Sequence, residues 1–226
     1  MKISRNSREL EQLRTATRMS MYVELKRVSE KHWSGKYSNA ECGRISMEVG
    51  RQLCGDPVPP GAPRLPAGIQ QGVAEAISFI RKQDPEVLVA ASFMRWSRAA
   101  GLLMNLKNQA AEAELKAALE YDPNNSLALC SMAYLAGFQG DAREALALSQ
   151  RALEINPNLP EAYLEVGNAY ETLGDHSQAM EAWEKARTFR PDIVKLDDRS
   201  ETAVKVISGR ERLDYEVLTD EPEDTR

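Results

Sequence analysis

"GDAREALALSQRALEINPN" (residues 140–158) and "GDHSQAMEAWEKARTFRPD" (174–192) are two copies of one template. Both open with Gly-Asp, place alanine five and twelve residues after the glycine, and close on proline. Working outward from them, Pro123, Pro157 and Pro191 recur every 34 residues. Proline makes up about 5% of average usage, so this spacing marks a repeat. The glycines permit a tight turn between two helices, and the prolines end each unit.

Aligned by the prolines, the unit 160–192 places Tyr163, Val166, Gly167 and Tyr170 on one helix, and Ala179, Trp183 and Ala186 on the next. The unit 126–159 gives Leu129, Met132, Ala133 and Ala136, then Ala145, Ser149, Ala152 and Pro157. The one before gives Ala99 and Leu102, then Ala111, Leu115, Ala118 and Pro123, with "LKNQ" in place of the Gly-Asp turn. Small residues at Ala99, Ala133 and Gly167 let paired helices approach closely. A larger side chain at Ala145 or Ala179 would overpack the crossing by roughly 1–3 kcal/mol. This pattern resembles the tetratricopeptide repeat, W-x2-L-G-x2-Y, then A-x3-F, then P. The resemblance covers residues 92–192.

The rest of the chain is also helical. Helical patterns span about 69–83, 86–105, 108–121, 126–138, 142–155, 160–173 and 176–189, and no stretch shows two-residue alternation. We expect an all-α fold: a tetratricopeptide-like α-solenoid of stacked helical hairpins, preceded by an N-terminal helical hairpin. That hairpin occupies residues 1–55, with one helix from Asn6 or Ser7 to about Lys31. A second helix is opened by a Ser38/Glu41 capping box and stopped by Gly55. Five of the eleven prolines fall in "DPVPPGAPRLPAG" (56–68), read as an extended linker. A helix over 69–91 then leads into three repeats over 92–192. Residues 193–209 read as a capping segment whose helix, 198–209, begins at Asp198 and ends at Gly209. Residues 210–226 read as an acidic tail. A hairpin cannot bury its apolar face alone, so neighbours stack, and three units are about the minimum.

Composition narrows the function. The 226 residues carry a net charge of −5, which argues against general nucleic-acid binding. "MKISRNSREL" has no apolar core of a secretory signal, and the longest apolar run, "VLVAASFM" (87–94), is too short to span a bilayer. Three cysteines, Cys42, Cys54 and Cys130, without CxxC spacing suit free thiols in a reducing compartment, so a cytoplasmic location is expected. No GxGxxG, GxxxxGK[ST], HExxH or GxSxG motif occurs, and no cofactor or metal is expected. His32, Cys42 and Cys54 fit no zinc spacing, and His176 falls in an interhelix turn.

The resemblance implies a scaffold or adaptor that binds a peptide or helix in a concave groove lined by the first helix of each pair. The inward positions are then Phe93, Trp96 and Met104, followed by Leu127, Cys130, Tyr134 and Phe138, and finally Glu161, Glu165, Asn168 and Glu171. This implies a protein or peptide partner with apolar anchors and a basic flank. Alternatively, the N-terminal helices or the chain's own tail fill the aromatic half. Repeats that hold the acidic C-termini of heat-shock chaperones use Lys, Asn and Arg where this chain has Trp96, Ala100 and the acids near Glu165, so an acidic tail is not expected in the groove. Bacterial type III secretion chaperones are similar in architecture, which makes a client-holding chaperone the second reading. An enzyme with its site in residues 1–60 is the third. The basic first helix offers a surface for pairing with a second copy or for docking the acidic tail.

Overall fold

The structure, a computed structural model, describes residues 3–33 and 35–190. Among them are nine α-helices and no strand. They are α1 (Ile3–His32), α2 (Asn39–Cys54), α3 (Ala67–Gln83), α4 (Pro85–Met104), α5 (Asn108–Tyr121), α6 (Ser126–Gln139), α7 (Ala142–Ile155), α8 (Pro160–Leu173) and α9 (His176–Phe189). Pro191, the expected capping helix and the acidic tail lie outside the described residues. α1 starts three residues before the expected Asn6, and α3 to α9 match the expected segments to within two residues at either end.

Local chemistry accounts for the boundaries. Gly140 and Gly174 take φ of 91° and 85°, the left-handed conformation that glycine alone adopts without strain. The aspartate after each glycine caps the next helix: the Asp141 carboxylate accepts from the Glu144 N–H at 3.0 Å and Asp175 from the Gln178 N–H at 3.1 Å. Asp122 and Asn156 close α5 and α7, and their side chains accept from the N–H groups of Asn124 and Asn158 to turn the chain past each proline. Ser38 and Glu41 form the reciprocal capping box of α2.

The first repeat has no glycine in its turn. Leu106 stands 34 residues before Gly140 and takes φ of 56°, the one positive φ outside glycine among the described residues. Its side chain is 78% exposed, so it offsets none of the strain by packing. Left-handed backbone costs a non-glycine residue roughly 1 kcal/mol. Leu106→Gly is expected to raise the unfolding free energy by about 0.5–1 kcal/mol, read from the urea midpoint at unchanged slope.

The chain divides into two units, residues 1–135 and 136–226. In the first, α1 to α4 share one core. It joins Met21, Leu25 and Val28 of α1 to Ile45, Val49 and Leu53 of α2, and these to Val73 and Ile80 of α3 and Met94 of α4. The proline-rich segment therefore straps two halves of one core together, although its composition reads as a spacer. A second cluster joins Ala99 of α4, Leu115 and Ala118 of α5, and Ala128 and Leu135 of α6. α4 takes part in both. The eight-residue apolar run seen in the sequence is thus part of a twenty-residue helix long and apolar enough to cross a bilayer by length and composition. Its buried face and its two bonded arginines make it a core helix.

Those arginines close the end of α2. The Arg95 guanidinium donates to the carbonyls of Gln52 and Leu53, both at 2.9 Å, and to Glu114 of α5 at 2.8 Å. Arg98 and Arg18 meet on the Asp56 carboxylate. Cations at a helix C-terminus satisfy its orphan carbonyls and oppose the negative end of its dipole. Gly55, at φ 71°, ends α2, and a Cβ there would collide with the Arg95 guanidinium. Among these charges, burial pushes the Cys54 thiol up to about 11, with Asp56 adding to the shift. It is an inert packing group.

In the second unit, Ala136 in the last turn of α6 meets Ala145 and Leu146 of α7 and Ala169 of α8. α8 and α9 pack through Leu164, Ala179, Trp183 and Ala186. Gly167 has no room for a side chain, since a Cβ would overlap the Trp183 indole.

Candidate peptide-binding face

On α4, Val89, Phe93, Trp96, Ala100 and Met104 follow at intervals of four, three, four and four residues. That spacing keeps them on one helix face. The row is open at both ends: Val89 is 51% and Met104 54% exposed, and the three residues between are half-buried. On α6 of the same unit, Leu127, Ser131 and Tyr134 are also half-buried and follow the same spacing.

The aromatic groups are held firmly. Phe93 and Trp96 form a tilted ring pair with centroids 5.3 Å apart. The Trp96 Nε1–H donates to the Ser131 hydroxyl at 3.1 Å, which itself donates to the Leu127 carbonyl at 2.9 Å. This chain locks the indole plane and ties α4 to α6. Phe93 also packs against the α1–α4 core, while Trp96 and Tyr134 pack against the α4–α6 cluster. The chain's own core thus takes one flank of the aromatic row and leaves Val89, Trp96, Tyr134 and Met104 partly open.

Of the expected inward positions in this unit, Cys130 is only 7% exposed and serves packing. Val89 and Ser131 belong to the face but escaped the sequence reading. Val89 falls in the segment assigned to the approach helix, and its signal was its place four residues before Phe93.

In the second unit, Phe138 is 49% exposed at the end of α6. The acids of α8 already have local partners. Glu161 pairs with Arg190. Glu165 is buried, at 9% exposure, and accepts from the Asn168 side chain at 3.4 Å. Glu171 meets His176 Nδ1 at 2.7 Å. They are not a row of unpaired carboxylates, because helical spacing sets the face of a residue but not its partners.

The Glu171 hydrogen bond and charge hold the His176 imidazole above its ordinary 6.5. A raised folded value means the pair's contribution is complete below the ordinary histidine range and disappears as pH rises through the folded value. An NMR titration is expected to place the His176 midpoint above 6.5, and Glu171→Gln to return it toward that value. A wild-type midpoint at or below 6.5 would remove the pair.

Among the described residues, no group of three or more His, Cys, Asp or Glu side chains converges to hold a metal ion. Cys42, Cys54 and Cys130 are buried free thiols.

Antiparallel helical hairpins of 34-residue period, closed by left-handed glycines and aspartate caps, define an α-solenoid repeat protein. Residues 139–192 match the family model described as tetratricopeptide repeat, and that part of the chain is built of tetratricopeptide repeats. Among solved structures, the fold is similar to MamA, at 17% identity and a TM-score of 0.40, covering 74% of this chain and 86% of that one. It is similar also to YrrB, described as a TPR protein with an unusual peptide-binding site, at 16% identity and a TM-score of 0.40, covering 76% and 86%. At that distance neither carries an argument about this chain. No curated protein sequence matches it significantly.

Proposed function

We propose that the protein is a non-catalytic scaffold whose α4–α6 face binds a peptide or short helix through apolar anchors. The tetratricopeptide fold itself supports a protein–protein interaction role. One observation carries the finer reading. An apolar row runs the length of α4, with its indole locked by a hydrogen bond and its two ends, Val89 and Met104, about half exposed. A rigid aromatic centre flanked by open apolar positions is the anatomy of a binding hot spot. The reading rests on these anchors and not on a basic flank in the partner, because the acids of α8 are engaged at home. Nothing in the face favours the chaperone reading. The buried free thiols agree with a reducing, cytoplasmic setting.

Panning a random peptide library against the protein tests this. Selected sequences should carry two or more large apolar residues at helical or alternating spacing. Met104→Glu and Tyr134→Arg should each weaken their binding about tenfold or more. Met104 is exposed, so its variant should melt as wild type does. Binders indifferent to both changes would sink the proposal.

A further inference from the structure

A second surface in the first unit is built differently. Beneath the proline-rich strap, between the end of α2 and the outer face of α3, lies a cleft of about 580 Å³. It shares Gln52 and Ala74 with a second cleft of about 530 Å³ that runs on to Tyr121 of α5. Together they follow α3 from Gln70 to Arg81, twelve residues that rise about 16 Å. Val73, Ala74, Ile77 and Leu53 form their apolar part, interrupted by the Gln52 that both share.

Four charged side chains line the two clefts: Glu48, Arg51, Arg64 and Arg81. Arg51 is consumed by Glu48 and by the Asp56 carbonyl. Glu48, the one acid in the lining, is thereby neutralised. Arg64 at the strap end is exposed and has no carboxylate partner among the described residues. Arg81 at the other end is also exposed, and its guanidinium stands 5.8 Å from the Tyr121 ring centroid with no carboxylate partner among those residues. The two adjoining clefts thus offer two exposed guanidinium groups without a carboxylate partner among the described residues, one on the strap and one on α3, on a chain whose net charge is −5. An extended peptide laid along that part of α3 covers its 16 Å in about five residues.

We infer that this cleft binds an acidic peptide of a partner protein, whose carboxylates flank a few apolar side chains. Guanidinium groups take carboxylates through paired hydrogen bonds, and the apolar lining of Val73, Ala74 and Ile77 selects against ligands that are charged throughout. The ligand differs in sign from anything the acids of α8 would attract, and the residues are distinct from those of the α4–α6 face.

The test uses the full chain and a fluorescein-labelled heptapeptide, Val-Leu-Val between two pairs of glutamates, followed by fluorescence anisotropy. Micromolar binding is expected. Arg64→Glu and Arg81→Glu should each weaken it about tenfold, as should replacing the peptide's glutamates with glutamine. Both arginines are exposed, so the variants should keep the wild-type melting curve. Tyr134→Arg should leave this binding unchanged, which separates it from the α4–α6 proposal. Absence of binding at about 1 mM peptide, or binding indifferent to both arginines, overturns the inference. So does a concentration-dependent dimer in sedimentation that the same changes abolish, which gives the cleft to a second copy. Binding seen only after removal of residues 213–226 would also overturn it and give the cleft to the chain's own acidic segment.

Discussion

Gly167→Val is expected to destabilise the second unit by roughly 3 kcal/mol, the upper end of the range for overpacking a filled junction. A Cβ at this position would overlap the Trp183 indole, with Cε2 of the ring only 2.8 Å away. The indole has nowhere to go. Trp183 is 4% exposed, and Ala179 and Ala186 on the same helix are fully buried. For Gly167→Ala two effects compete, because alanine is about 1 kcal/mol better than glycine inside a helix. Overlap with a ring that cannot yield should win, leaving a net loss of about 1–2 kcal/mol. Gly137→Ala is the control in the same unit. Its Cβ would stand 3.8 Å from that of Ala145, an ordinary contact, so helix propensity decides and a gain of up to about 0.5 kcal/mol follows. Urea unfolding followed by circular dichroism and tryptophan fluorescence measures all three. A neutral or stabilising Gly167→Ala would show that Trp183 does not sit against α8 as described.

Arg95→Ala is expected to cost the first unit about 3 kcal/mol. Three groups lose a hydrogen bond at once: the Leu53 carbonyl, the Gln52 carbonyl, which keeps only the Gly55 N–H, and the Glu114 carboxylate on α5, which keeps only Arg98 at 3.8 Å. The Arg95 and Glu114 side chains are only 17% and 18% exposed, so water replaces the lost bonds incompletely. Lysine should not rescue the loss, because a single ammonium cannot reach two carbonyls and a carboxylate in the fork that guanidinium provides. Removing both charges, in Arg95→Met with Glu114→Leu, should be milder than Arg95→Ala, since no largely buried carboxylate is then left with only the distant Arg98. A double-mutant cycle in urea reads the coupling. If Arg95→Lys is as stable as wild type, the arginine acts only as a charge, and the clamp on α2 is not what holds the unit.

The repeat was legible because it is written in residues with local consequences. Gly-Asp at 140 and 174 set a turn and a cap, Pro123 and Pro157 ended their units, and Ser38 with Glu41 opened α2, all within a few residues of chain. The helix boundaries from α3 onward were accordingly close to those found. Leu106 was harder, since nothing about leucine announces a left-handed backbone. Only its register with Gly140 shows that the repeat demands one.

The candidate site was half legible. Helical spacing identified Phe93, Trp96, Tyr134 and Met104, because an apolar row along one face is a property of the sequence. It could not tell an open position from a closed one, and so Cys130 and Glu165 were assigned to a groove although both are buried.

The sequence by itself determined where the helices begin and end, which face of each is apolar, and that hairpins recur every 34 residues, because caps, turns and periodicity act over a few residues. Only the tertiary structure decided that the N-terminal hairpin shares one core with α3 and α4. It also decided that Arg95 reaches the end of a helix about forty residues earlier, and that Arg64 and Arg81 line adjoining clefts without a carboxylate partner among the described residues. An apolar face states that it must be buried but not by what, and a charge states its sign but not its partner. Those choices fall to packing between segments far apart in the chain.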